Sequence, residues 1–130
     1  MTIELLDVIT EETPAEVLDK LEDYTGEIEV LINSPGGSVY GGLSVYSILS
    51  QRRENVTVRV LGIAASIASV IALAGRELIM SDGSFIMCHD PWTLTVGNSS
   101  EHTQTAGILD KIGGSIRDLY VRNTNLSADE

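Results

Sequence analysis

The chain has 130 residues, of which 43% are hydrophobic and 21% are charged, a balance typical of one globular domain with a hydrophobic core. Its formal net charge of −11 provides no basic stripe for phosphates, so we expect no nucleic-acid partner. Cys88 is the single cysteine, which excludes a disulfide framework, and the first residues lack the order of a signal peptide. These features predict an intracellular, cytoplasmic protein.

The first part of the chain reads as strand, helix, strand and helix. Residues 2–9 are a short apolar run that predicts a strand. Thr13, Pro14 and Glu16 form an N-cap, first-turn proline and capping-box pattern, which predicts a helix to about residue 24. Residues 27–33 predict a strand, and residues 39–53 predict a helix after the glycine-rich stretch "INSPGGSVYGG".

The same order then repeats. Residues 56–61 are rich in β-branched side chains and predict a strand, Gly62 predicts a turn, and residues 66–74 predict a helix of small residues. Two successive strand–helix units indicate an α/β fold with a parallel sheet. The most apolar stretch, residues 61–75, is too short to cross a bilayer, so we expect no membrane contact.

Two short strands and a long helix follow. Residues 77–80 and 84–88 predict the strands, and residues 101–122 predict a helix whose apolar positions keep a 3.6-residue period. These positions are Ile108, Leu109, Ile112, Ile116 and Leu119. Residues 127–130 form a capping box with no helix after it, which predicts a single domain, 1–130, that is truncated at its C-terminus.

Ser66 is the first candidate for chemistry, because it lies where a predicted strand gives way to a helix. The free N–H groups at a helix start, including that of Ile67, can stabilise a developing oxyanion beside a nucleophile. The alternative is that Ser66 merely caps the helix. Ser69, one turn later, belongs to the helix interior and is the weaker candidate nucleophile.

His89 follows a strand of the same predicted core and could act as a general base if it lies beside Ser66. A structural role is the alternative. Cys88 and His89 are adjacent in an extended segment and point to opposite faces, so we expect Cys88 to be a core residue and not a partner of His89. We expect His102 to face solvent.

The glycine-rich loop does not match a phosphate-binding pattern, since it is neither G-x-G-x-x-G nor a Walker sequence with its lysine. It would instead expose backbone N–H groups at the carboxyl end of a parallel strand, where ligands of α/β folds bind. We expect no cofactor and no metal site.

Three motifs in this order, "INSPGGSVYGG", "GIAASIASVIALAG" and "IMCHDP", resemble the Clp-type serine peptidases of the Clp/crotonase superfamily. The resemblance implies stacked ββα units with a parallel sheet and a protruding long helix. It also implies that Ser66 is the nucleophile and His89 the general base. The implied oxyanion hole consists of the backbone N–H groups of Gly36, Gly37 and Ile67.

The resemblance further implies a serine endopeptidase that by itself uses no ATP, acts on peptides or proteins and forms a homo-oligomeric ring. The sequence does not decide whether it needs the ATP-driven unfolding partner of the family, because the region that larger Clp subunits use to contact that partner is lacking here. Ala68 replaces a glycine often found in the family, and the N-terminal part is short, as in bacteriophage-associated Clp-like head maturation proteases. The family's third triad residue, an aspartate, is expected beyond Glu130. Loss of such an acid costs about 10⁴ in turnover in trypsin, so we expect weak activity from these residues alone.

Three alternatives remain open from the sequence. A crotonase-like acyl-CoA enzyme would use the same oxyanion geometry but would leave Ser66 and His89 unexplained. A serine–lysine peptidase would use Lys111 as its base, although a lysine on a long amphipathic helix is usually solvated. A catalytically weak scaffold subunit would keep the fold for ring assembly through the long helix.

Overall fold

A computed structural model describes every residue from Met1 to Glu130. The chain divides into two compact units, Met1–Cys88 and His89–Glu130. The prediction of a single domain stays a prediction.

The first unit is built on a five-stranded sheet in the order β1-β2-β3-β4, with β5 paired to β3. All strand pairs are parallel, which confirms the predicted α/β class with a parallel sheet. The strands are β1 (Thr2–Leu5), β2 (Ile28–Ser34), β3 (Val56–Ala65), β4 (Glu77–Met80) and β5 (Phe85–Met87).

Three helices complete the first unit. They are α1 (Thr13–Leu21), α2 (Val39–Ser50) and α3 (Ile67–Ile71), and α3 continues as a 3-10 turn over Ala72–Ala74. A second 3-10 turn, Arg53–Asn55, connects α2 to β3.

The core of the first unit lies against one face of the sheet. Residues alternate along β2 and β3 between buried and partly exposed, as expected for strands with one covered face. The buried face carries Ile28, Val30, Ile32, Val56, Val58 and Val60, and α2 contributes Val45 and Leu49. Each such side chain stabilises the fold by about 1.5–3 kcal/mol relative to an exposed one.

Strand β3 is longer than the sequence predicts, because it does not turn at Gly62. Its first half pairs with β4, and its last three residues pair with β5, so the strand changes neighbour along its length. The β2–β3 register shifts between Ile32 and Ser34, and the Ile63 N–H donates to Asn33 Oδ1 at 3.2 Å. A Cβ on Gly62 would lie 2.6 Å from Asn33 Oδ1. Gly62 therefore marks an irregularity within a strand and not its end.

Two smaller differences concern the start of the chain. Strand β1 ends at Leu5, and Ile9 instead forms an isolated parallel bridge with Gly37. Helix α1 begins at Thr13, whose Oγ1 accepts a hydrogen bond from the Thr10 N–H at 2.9 Å. The predicted capping box at Thr13 is therefore wrong, because this hydroxyl is bonded to the preceding loop.

The second unit contains the long helix α4 (Ser99–Asn123), which confirms the predicted C-terminal helix. Asn98 caps it: the Glu101 N–H donates to Asn98 Oδ1 at 3.1 Å, and the Asn98 N–H donates to the Glu101 carboxylate at 2.7 Å. No residue of α4 is buried, and Ile108 is 45% exposed. None of the helices combines the length and the apolar character that a membrane span would need.

The α2–α3 packing provides a test of this fold. A Cβ on Gly42 of α2 would come within 2.2 Å of Ile67 Cγ1, and Ile67 is buried. We expect Gly42→Ala to lower the free energy of unfolding by about 1–3 kcal/mol, because the new Cβ would displace the buried Ile67 side chain. Urea unfolding followed by circular dichroism measures this change.

Gly107→Ala is the matched helical control, since a Cβ there meets no atom within 4 Å. It should stabilise α4 by up to about 1 kcal/mol through helix propensity alone. Equal stability of the Gly42→Ala and wild-type proteins would contradict the close α2–α3 contact.

Candidate active site

Ser66 occupies a strained turn between β3 and α3. Its φ is 53° and its ψ is −129°, and Asp23 is the other non-glycine residue with positive φ. A residue with a Cβ in such a conformation costs about 1–3 kcal/mol, and the conformation persists only when its surroundings fix it. A strained strand-to-helix turn also presents the nucleophilic serine of α/β-hydrolases, an unrelated fold.

Backbone hydrogen bonds fix Ser66 on both sides. The Ser66 N–H donates to the Met87 carbonyl of β5 at 2.8 Å, and the Ser66 carbonyl accepts from the Ser69 N–H at 3.0 Å. The Ser69 hydroxyl donates to the same carbonyl. These bonds account for the persistence of the strained conformation.

The Ser66 hydroxyl itself caps nothing. It makes no hydrogen bond at the start of α3, and the residue is partly exposed. This observation weighs against the helix-cap alternative, because a capping serine accepts a bond from the helix N–H groups. The hydroxyl is thus unengaged by the backbone of its own helix.

The glycine-rich loop lies directly against Ser66. Gly36 and Gly37 have φ of 96° and 146°, values that favour glycine. A Cβ on Gly36 would come within 2.6 Å of Ser66 Cβ and 3.2 Å of Ser66 Oγ. The structure therefore brings together two of the sequence motifs, the glycine-rich loop and the Ser66 turn.

The backbone N–H groups of this site differ in their partners. The Gly36 N–H donates to Oγ of buried Ser34 at 3.1 Å. No protein atom accepts a hydrogen bond from the N–H of Gly37 or of Ile67. Of the three residues predicted to donate to an oxyanion, Gly37 and Ile67 therefore have an N–H without a protein acceptor, and Gly36 does not.

Ser34 is a residue that the sequence reasoning missed. Its buried hydroxyl holds the Gly36 N–H two residues ahead, a turn pattern that serine favours. A serine directly before Pro35 and Gly36 is the sequence pattern that could have predicted this turn.

His89 is exposed and opens the second unit, so its pairing with Ser66 stays a prediction. Cys88 is also exposed, and its Sγ donates to Ser69 Oγ at 3.8 Å. The expectation that Cys88 is a core residue was therefore wrong. Ser69 lies within helix α3, as predicted, and its side chain is buried. His102 and Lys111 are exposed. No cluster of His, Cys, Asp or Glu residues could hold a metal ion.

The contact between Gly36 and Ser66 can be tested with two glycines of positive φ. Gly36→Ala should add a steric cost of about 1–3 kcal/mol to the cost of the left-handed backbone, because the new Cβ would displace Ser66. We expect faster hydrogen exchange at the Ser66 N–H, which bonds to Met87. Exchange measured by NMR reports this change.

Gly83→Ala is the matched control, because Gly83 also has positive φ but a Cβ there meets nothing within 4 Å. It should cost only about 1–2 kcal/mol for the backbone and leave the Ser66 exchange rate unchanged. Unchanged exchange at Ser66 in Gly36→Ala would contradict the contact.

Comparisons with known proteins identify the family of the chain. The family model described as Clp protease matches residues 2–130. An ATP-dependent Clp protease proteolytic subunit of Bacteroides fragilis is 33% identical over 106 residues, which cover 80% of this chain and 51% of the relative. The protein of the same name from Mesostigma viride is 32% identical over 111 residues, covering 84% and 48%. The chain spans about half the length of these curated relatives. It belongs to the Clp protease family.

Proposed function

We propose that this protein is a serine endopeptidase of the Clp type. The observation that carries the proposal is the position of Ser66. It lies in a strained turn beside the glycine-rich loop, and its hydroxyl does not cap helix α3. Family membership supports the reaction class, peptide-bond hydrolysis, and the strained turn supports Ser66 as the residue that would perform it.

In the proposed reaction, Ser66 Oγ attacks the carbonyl carbon of the scissile peptide bond while His89 takes the hydroxyl proton. The tetrahedral intermediate collapses, and His89 donates that proton to the leaving amine. Water then attacks the acyl-enzyme with His89 again as base, which releases the second product and restores the Ser66 hydroxyl.

The negative charge on the carbonyl oxygen is stabilised by the N–H groups of Gly37 and Ile67. Neither N–H has a protein acceptor, so neither must break an internal hydrogen bond to bind the oxyanion. Loss of one such donor typically lowers turnover by about 10²–10³. In this proposal Gly36 provides space for Ser66 and not a donor, because its N–H is bound to Ser34.

The substrate is an extended peptide or protein segment. Backbone pairing is the expected mode of binding, since the loop follows directly after the parallel strand β2 and can take an added strand. No cofactor enters any of these steps.

The proposal extends to assembly and partners. The relatives' names describe an ATP-dependent proteolytic subunit, and we propose that this chain likewise acts within a homo-oligomer alongside an ATP-driven unfolding partner. Helix α4 is suited to subunit contact because none of its residues is buried and its apolar side chains share one stripe. A cytoplasmic location accords with this role, and the likeness to phage-associated members stays a prediction.

Covalent labelling tests the nucleophile. We expect an alkyl fluorophosphonate to modify Ser66 of the full-length protein, because the oxyanion donors that serve a peptide carbonyl also serve the phosphonyl oxygen. Mass spectrometry of proteolytic fragments locates the label.

Ser66→Ala should abolish the label, and Ser44→Ala, a change at an exposed serine of α2, should leave it intact. A folded full-length protein that resists the reagent would count against the peptidase and favour a scaffold subunit.

Substitution of the proposed base provides a second test. His89→Ala should lower the turnover number for a fluorogenic peptide by about 10²–10⁴-fold, because the Ser66 proton would lose its acceptor. Steady-state kinetics measure the change, and KM should move little.

Lys111→Ala is the control, since Lys111 lies exposed on α4. It should leave turnover unchanged. Activity that survived His89→Ala but not Lys111→Ala would instead favour a serine–lysine peptidase.

A further inference from the structure

We infer that Ser69 is a positioning residue for both the Ser66 nucleophile and the Ile67 oxyanion donor. The inference rests on the proposed peptidase function and deepens it. It assigns a role to a buried hydroxyl that the mechanism itself does not use.

Ser69 is one of the few buried polar residues of the chain, with 0% of its surface exposed. A buried hydroxyl destabilises a fold unless it is hydrogen-bonded. Here the acceptor is the carbonyl of Ser66, the residue in the strained turn. The Ser69 N–H donates to the same oxygen at 3.0 Å, so one carbonyl receives two hydrogen bonds from one residue.

Cys88 contributes to the orientation of this hydroxyl. Its Sγ donates to Ser69 Oγ at 3.8 Å. Since a hydroxyl has one proton, a Ser69 oxygen that accepts from the thiol keeps its own proton for the Ser66 carbonyl.

Peptide planarity transmits this restraint to the oxyanion hole. The Ser66 carbonyl and the Ile67 N–H belong to one trans peptide unit and therefore point in opposite directions. Two hydrogen bonds that hold the carbonyl toward Ser69 also hold the Ile67 N–H away from Ser69. Loss of the Ser69 hydroxyl bond would let this peptide plane rotate. The Ile67 N–H and the Ser66 side chain would then have less well-defined orientations.

Three variants test the inference. Ser69→Ala removes the hydroxyl and keeps the backbone bond. Ser69→Thr keeps a hydroxyl that can reach the carbonyl three residues earlier in a helix. Ser50→Ala is the matched control, because Ser50 Oγ donates to the Ser47 carbonyl in the same way at the end of α2.

We expect Ser69→Ala to lower both turnover and the fluorophosphonate labelling rate by roughly five- to tenfold, the effect of one modest hydrogen bond. KM should stay within about twofold, since the oxyanion forms only in the transition state. Ser69→Thr should label within about twofold of wild type although its extra methyl group lowers the melting temperature. Ser50→Ala should match wild type in labelling.

A merely structural role would make the labelling rates follow the melting temperatures across the variants, and that result would overturn the inference. So would wild-type labelling by Ser69→Ala. If the wild type itself is not labelled, the proposed function fails and hydrogen exchange decides the positioning role. Ser69→Ala should then speed exchange at the N–H groups of Ser66 and Ser69, and unchanged rates would overturn the inference on their own.

Discussion

The parallel pairing of β3 with β2 on one side and β5 on the other is the constraint on which the site depends. Ala64 is opposite both Ser34 of β2 and Ile86 of β5, so the end of β3 is held between two strands. Parallel strands end at the same edge of a sheet, and the segments that leave this edge after β2 and β3 are the glycine-rich loop and the Ser66 turn. Their contact is therefore a consequence of strand register, and it needs no long-range side-chain bridge.

Local hydrogen bonds, and the space available because Gly36 has no side chain, stabilise the strained backbone conformation of Ser66. The Met87 carbonyl holds one side of the residue, Ser69 holds the other, and Gly36 leaves room for the side chain. These three residues act on different parts of Ser66, namely its N–H, its carbonyl and its side chain. Together they explain why a conformation unfavourable for serine persists here. The unfavourable energy resides at the residue that we propose as the nucleophile.

The repeated strand–helix order was sufficient to predict the parallel sheet, because it is a local pattern. The strand-to-helix junction only made Ser66 a candidate, and its role as nucleophile is a prediction from the resemblance. The length of β3 could not be predicted, because Gly62 indicates a turn in the sequence. In the structure the strand continues past Gly62, since its last residues pair with β5 and the Ile63 N–H bonds to the Asn33 side chain. The contact of Cys88 with Ser69 could not be predicted either, because it joins residues that are distant in sequence. The Ser34 bond to Gly36 is different, since it is a local turn pattern that the sequence does display. The pairing of Ser66 with His89 remains a prediction from resemblance.

The isolated bridge between Ile9 and Gly37 occupies one side of the glycine-rich loop and leaves the backbone groups of Gly37 on the other side. The Ile9 N–H donates to the Gly36 carbonyl and the Ile9 carbonyl accepts from the Ser38 N–H, both at 2.8 Å. Because each peptide unit is planar and trans, the Gly37 N–H and carbonyl must point away from Ile9. The chain itself thus occupies one flank of the loop, and Gly37 presents a donor and an acceptor together on the opposite flank. That flank is the one left for the extended peptide that we propose as substrate.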